Sequence, residues 1–285
     1  MRHLFCLLLA LITAIAPSAE WAPDELGRTT ITTMQSAPYP HPSRAEGFKG
    51  RNGTVWPADI HYTNSDVAFF VPSSYKPGPT TDLVIYFHGH GNDVRKALRD
   101  FKLREQLVAS GRNAILLFPQ GPFNASDSGL GKLEDPDGLK KLVEEALALL
   151  KADGVIPEAA LGSVVLTGHS GAYRGIGECL RHGGIDEHIR EVYLLDATYG
   201  QLEIFADWIA RHPNARFGSI FTEHLADENV ILMAALSKAN VPFTLRVDDN
   251  MEPNAESARV FFLHTLALDH NGAVTWLERF LKSPQ

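Results

Sequence analysis

Cysteine is scarce in this chain, with two in 285 residues. Cys6 falls in the first apolar stretch, which leaves Cys179 alone in the remainder, so no intramolecular disulfide can staple a chain that has lost its first segment. Stability must then come from a hydrophobic core, which a chain of this length can build. An excess of positive charge is missing as well. The 26 Lys and Arg against 34 Asp and Glu give a net charge of −8, and no basic cluster marks the footprint of a nucleic-acid binder. Long apolar runs are confined to Leu4–Ala16, preceded by Arg2 and His3 and followed by the small-residue exit Ala16-Pro17-Ser18-Ala19. About 13 apolar residues are too few to cross a hydrocarbon core of ~30 Å, and the pattern is that of a secretory signal peptide cut after Ser18 or Ala19. The expectation is a signal peptide over 1–19 and a single soluble domain over 20–285, secreted or periplasmic, with no membrane span in the mature protein.

What is present has ordinary globular proportions, 45% hydrophobic and 21% charged. Short apolar runs alternate with amphipathic ones. Val67–Val71, Leu83–Phe87, Ala114–Phe118, Ser163–Leu166, Val192–Leu195, Phe217–Phe221, Phe243–Val247 and Val260–His264 predict strands. Asp93–Ser110, Leu139–Lys151, Ala172–His182, Glu203–Arg211, Glu228–Lys238 and Gly272–Lys282 predict helices, the second with apolar residues at Leu139, Leu142, Val143, Ala146, Leu147 and Leu150. Buried strands alternating with helices mean a mostly parallel central sheet covered on both faces. Residues 20–66 hold aromatic and turn residues but no readable motif.

The most informative segment runs from Val164 through Thr167-Gly168-His169-Ser170-Gly171-Ala172. An apolar strand, then Gly-x-Ser-x-small, then a helix-compatible stretch is the pattern of a nucleophile elbow. A serine on so tight a turn leaves almost no room for side chains two residues to either side, and Gly168 and Ala172 occupy those positions. Function in an open α/β sheet collects at the carboxyl ends of the strands. His88-Gly89-His90-Gly91, Ser170 and Asp196 each follow a predicted strand, and His270 precedes the last helix. The order Ser170, Asp196, His270 is the Ser, acid, His order of an α/β-hydrolase.

With these motifs, the glycine loop His88–Gly91, the elbow, Asp196 in Leu194-Leu195-Asp196-Ala197 and His270 in Asp269-His270-Asn271-Gly272, the chain resembles the α/β-hydrolase superfamily, specifically secreted microbial esterases and lipases, over about Val67–Leu281. The resemblance implies an α/β-hydrolase fold; only about one helix separates Asp196 from Phe217, so no large cap domain can be inserted there. It implies Ser170 as nucleophile, His270 as base and Asp196 as the acid that orients it. The oxyanion would meet the Gly171 N–H and one from the Gly89 to Gly91 loop, at Gly89 or His90, each donor worth ~3–4 kcal/mol. Glu223 or Asp227 competes for the acid and His264 for the base. A zinc site from His88, His90 and His169 has the ligand types but not the convergence, since His169 sits at the variable elbow position. No metal and no cofactor are expected.

Other features have plainer readings. Arg174 and Glu178, at i and i+4, predict an ion pair. Cys179 reads as a small buried hydrophobe. The Gly121–Pro136 loop is the candidate wall of an acyl pocket, and the sequons at Asn52 and Asn124 matter only in a eukaryotic host. The functional expectation is a serine hydrolase acting on a small-molecule or polymer-derived ester through an acyl-enzyme. An amidase or peptidase on the same residues, or a non-catalytic binding protein of the same fold, are the alternatives, since fold does not imply function.

Overall fold

The computed structural model describes residues 19–248 and 257–282. The signal-peptide reading therefore lies outside the described residues, apart from Ala19. Among the described residues no helix is long and apolar enough to cross a membrane.

The chain begins with strands β1 (Ala22–Pro23) and β2 (Gly27–Thr33) and the short hairpin β3 (Phe48–Lys49) and β4 (Val55–Trp56). Helix α1 (Ala58–His61), β5 (Asp66–Pro72) and β6 (Thr81–Phe87) follow, then α2 (Val94–Asp100), α3 (Leu103–Ser110) and β7 (Ile115–Pro119). Next come α4 (Gly138–Ala152), β8 (Leu161–His169), α5 (Tyr173–His182), β9 (Ile189–Leu195), α6 (Leu202–Arg211) and β10 (Arg216–Phe221). Helix α7 (Ala226–Lys238), β11 (Thr244–Asp248), β12 (Val260–Thr265) and α8 (Leu277–Leu281) complete it.

Ten strands form one sheet in the order β1-β2-β5-β7-β6-β8-β9-β10-β12-β11. The pairings from β1 to β7 are antiparallel, and every pairing from β7 to β11 is parallel. Side chains alternate between two cores with the strand period of two. In β6, Leu83, Ile85 and Phe87 enter one core while Val84 and Tyr86 enter the other. The first core is closed by α4 to α7, including all six apolar residues of the α4 stripe, and the second by α2, α3 and α8. The expected mostly parallel sheet with helices on both faces is thus observed, and only α6 lies between β9 and β10, so no cap interrupts it.

Three elements differ from expectation. The helix predicted over Asp93–Ser110 is two helices, separated at Phe101 and Lys102, where Lys102 takes a left-handed φ of 49°. No glycine or proline marks the break, so periodicity alone runs through it. The final helix begins as a tighter 3-10 turn over Gly272–Trp276. Residues 20–66, silent in sequence, supply β1 and β2 and the separate β3–β4 hairpin.

Strand β8 meets the following helix with little spare volume. A Cβ on Gly168 would stand 2.5 Å from the Ala172 Cβ and 2.7 Å from the Phe87 carbonyl oxygen. Neither neighbour is a flexible side-chain end. Gly168→Ala is therefore expected to cost about 1–3 kcal/mol through overpacking, read as a lower urea midpoint with an unchanged m-value.

Candidate active site

Ser170 sits at the end of β8 with a left-handed φ of 56°, a strained conformation for a residue carrying a side chain. Residues 170–172 form a 3-10 turn that leads into α5, so the serine stands at the strand-to-helix junction the motif predicts. The glycine loop packs directly on it. A Cβ on Gly89 would lie 2.6 Å from the Ser170 Cβ and 2.9 Å from the His169 carbonyl oxygen, so only glycine fits.

Asp196 ends β9, also with positive φ (48°), and is fully buried. Its carboxylate accepts the His270 Nδ1–H at 2.6 Å, the Thr222 backbone N–H at 2.8 Å and the Thr222 hydroxyl at 3.0 Å. Burial raises its pKa, but the bonds from His270 and Thr222 outweigh that and hold it below the usual carboxylate range. The bond to Nδ1–H selects the imidazole tautomer whose lone pair is on the other ring nitrogen of His270.

The competing residues go elsewhere. His264 stacks on Phe221, and its Nε2 lies 3.0 Å from a Glu223 carboxylate oxygen. Asp227 is an exposed residue in the first turn of α7. Of the residues weighed from sequence, the structure joins His270 to Asp196 and pairs Glu223 with His264.

The three histidines considered for a metal each have another partner. His88 donates Nδ1–H to the Gly89 carbonyl at 2.8 Å and accepts at Nε2 from the Gln120 amide and the Gly121 N–H. Buried, and with its pKa lowered by that burial, it holds the glycine loop in shape. His90 pairs with the Ser128 hydroxyl at 2.8 Å, and burial lowers its pKa too. His169 donates to the His270 carbonyl at 2.9 Å, its ring 4.3 Å from the His270 ring. The grouping with metal-ligand spacing among the described residues is a different one, Asp196, His224 and His270, with ligand atoms within 4.8 Å of one another. Two of its facing atoms, on Asp196 and His270, are already bonded to each other.

Sequence reasoning missed Thr222, His224 and Tyr199. His224 Nδ1–H donates to the Thr222 hydroxyl at 2.7 Å, and His224 Nε2 accepts from the Tyr199 hydroxyl at 2.8 Å. Burial raises the Tyr199 pKa, and Tyr199 lines the same cavity as Ser170. Their signal was position alone, directly after β9 and β10. For the expected oxyanion loop, the Gly91 N–H is spent on the Ala125 carbonyl at 3.0 Å, while Gly171 lies against the His90 ring and Ser128.

A cavity of about 640 Å³ opens beside the serine. One wall carries Ser170, Gly171 and Tyr173, and a second carries Ser126 to Ser128 of the loop expected to line it. The third wall is the β3–β4 hairpin, with Phe48, Arg51 and Trp56. Arg174 also lines the cavity, and its ion pair is with Glu134 at 2.9 Å, not with Glu178. Glu178 is taken instead by Arg181 and the Gln201 amide. Cys179 is buried, and burial pushes its thiol pKa up, so it is an inert core residue as expected.

Burial lowers the His169 pKa from 6.5 to about 4, the His270 charge adding to the effect. A base depressed in the folded state favours folding fully above the unfolded value of 6.5, and that contribution is lost as pH falls toward about 4. The loss by pH 4.5 is about 2–3 kcal/mol. Urea midpoints at pH 7 and 4.5 should therefore fall further for the wild type than for His169→Gln, which carries no titrating ring.

No family model matches the chain, and no curated protein matches it. Solved structures do. The feruloyl esterase module of Clostridium thermocellum, complexed with sinapinate, superposes with a TM-score of 0.54 at 13% identity, over 94% of this chain and 93% of that one. A fluorophosphonate-binding serine hydrolase of Staphylococcus aureus gives 0.51 at 10% identity, over 91% and 98%. An S-formylglutathione hydrolase from Agrobacterium tumefaciens gives 0.51 at 10% identity, over 92% and 96%. At such identities the likeness speaks for architecture: with its parallel sheet, its flanking helices and its serine on the turn after β8, the chain has the α/β-hydrolase fold.

Proposed function

We propose that the chain is a serine hydrolase of carboxylic esters in which Ser170, His270 and Asp196 act together. The observation that carries the reading is the 2.6 Å bond from His270 Nδ1 to the buried Asp196, at the strand ends where Ser170 stands on its strained turn. A buried carboxylate bonded to one ring nitrogen fixes the tautomer that leaves the other as a base. Ser170 Oγ attacks the ester carbonyl as His270 Nε2 takes its proton, and the Asp196 charge stabilises the imidazolium. The tetrahedral oxyanion meets the Gly171 N–H and that of Gly89 or His90. His270 then protonates the departing alcohol, leaving an acyl-Ser170 ester. Water repeats the sequence, giving the acid and free Ser170.

The structural neighbours support an ester as substrate, since those compared are esterases or hydrolases. Residues 1–19 are an export signal and 20–285 one catalytic domain that works outside the cytoplasm, a reading that rests on the sequence pattern. No cofactor takes part.

Hydrolysis of a p-nitrophenyl ester series tests this. Ser170→Ala and His270→Ala should each lower kcat by about 10³-fold or more, and Asp196→Asn by a comparable factor, with the effects far from additive when combined. A fluorophosphonate probe should label the wild type and not Ser170→Ala. Turnover and labelling that survive the loss of Ser170, in protein shown to be folded, would exclude the mechanism.

A further inference from the structure

The charges around the cavity are out of balance with the rest of the molecule. The chain carries a net −8, yet the charged residues lining the cavity beside Ser170 are Arg51, Arg174 and Asp127. His90 also lines it, its pKa lowered by partial burial.

Asp127 does not offset the two arginines, because its charge is already spent. Its side chain is almost fully buried and accepts from Arg44 Nε at 2.6 Å and Arg44 Nη2 at 3.0 Å. The Tyr62 hydroxyl and the Gly129 N–H supply two more bonds. Burial raises its pKa, but the Arg44 guanidinium holds it below the usual carboxylate range, so a complete and internally neutral pair sits behind the wall. The same guanidinium lies 4.8 Å from the Phe48 ring at the base of the hairpin. The hairpin that presents Arg51 is thus tied, through Arg44, to the loop that carries Asp127.

Arg51 itself stands exposed on the turn between β3 and β4, with no acidic partner among the described residues. Arg174 pairs with Glu134 at 2.9 Å, which offsets its charge as Arg44 offsets that of Asp127, but its side chain remains 42% exposed. Arg51 is therefore the lining cation without an acidic partner among the described residues. Asn52 adds a side-chain amide to the same lining, whose aromatic members are Phe48, Trp56, Tyr173 and Tyr199. A cationic side chain at a cavity of an acidic protein attracts anions toward it.

We propose that Arg51, with Arg174 in the same cavity lining, forms a carboxylate-binding subsite, and that the substrates are esters whose alcohol or acyl part ends in a carboxylate. The inference rests on the serine-hydrolase reading for its chemistry. The guanidinium is suited to it because its planar fork matches a carboxylate in two parallel hydrogen bonds.

Two matched pairs of esters test the preference. 4-Acetoxybenzoate is compared with its methyl ester, and mono-p-nitrophenyl suberate with p-nitrophenyl octanoate. In at least one pair the anionic member should have the higher kcat/KM, by about fivefold at low salt, the upper range for one exposed charge pair. That ratio should shrink as ionic strength rises. Arg51→Gln should bring it near one, Arg174→Gln should lower it, and Arg51→Lys should keep part of it. Binding without turnover gives an independent reading. Ser170→Ala should bind 4-acetamidobenzoate more tightly than its methyl ester by titration calorimetry, and Arg51→Gln in that background should erase the difference. Equal rates within both pairs, or equal binding of the two amides, would overturn the subsite while leaving the hydrolase intact. Absence of Ser170-dependent turnover of the neutral esters would count against the hydrolase instead, and the binding comparison would still decide the subsite.

Discussion

A carboxylate removed from water has to be satisfied by the protein around it, and at Asp196 that requirement organises the whole carboxyl edge of the sheet. Three donors reach it, from the Thr222 backbone, the Thr222 hydroxyl and His270. They come from the end of β10 and from the loop before α8, and meet the carboxylate just after β9, segments with no local reason to meet. Leaving any of them unpaired would expose a buried charge to a desolvation cost that a single hydrogen bond cannot match. Once they converge, the position of His270 follows. Thr222 then passes the network outward through His224 to Tyr199.

Steric crowding makes the second constraint. Ser170 takes its left-handed conformation between Gly168, which has no room for a Cβ against Ala172 and Phe87, and Gly89, which has none against Ser170 itself. Such strain persists only where the surroundings over-determine it. The surroundings here are two dense cores, one on each sheet face, with β6, β8 and β9 buried on both. The bond from His169 to the His270 carbonyl carries the same rigidity from the turn to the loop holding the imidazole.

The cavity is assembled from a different part of the chain. Its hairpin wall lies outside the main sheet and is held by aromatic contacts and by Arg44, which reaches Asp127 on one side and Phe48 on the other. Strand ends carry Ser170 and Asp196, and a separately anchored hairpin lines the cavity beside them. Changing the hairpin leaves the buried network of Asp196 untouched, which is how one fold comes to serve many substrates.

Much of this architecture was legible in the residues. Apolar runs such as Leu83–Phe87 and the α4 stripe mark their elements because burial imposes periods of two and near 3.6. The elbow around Ser170 is readable because a tight turn admits only small neighbours. What periodicity cannot carry is any relation between distant segments. Nothing in the order of residues states that His270 faces Asp196 while His264 stacks on Phe221, because that depends on where β10 and β12 place their ends. Arg174 illustrates the limit: its spacing to Glu178 suggests a local pair, yet Glu134, forty positions away, is the partner the packing brings near. The break at Lys102 and the hairpin of residues 48–56 carry no periodic signal either, since each is held by contacts rather than by its own pattern. The sequence by itself determined the central strands from β5 onward, most of the helices and the turn that holds Ser170, because those obey local sterics and burial. The partners of the charged groups and the walls of the cavity were decided only by the tertiary structure, because they depend on which surfaces the folded chain brings within hydrogen-bonding reach.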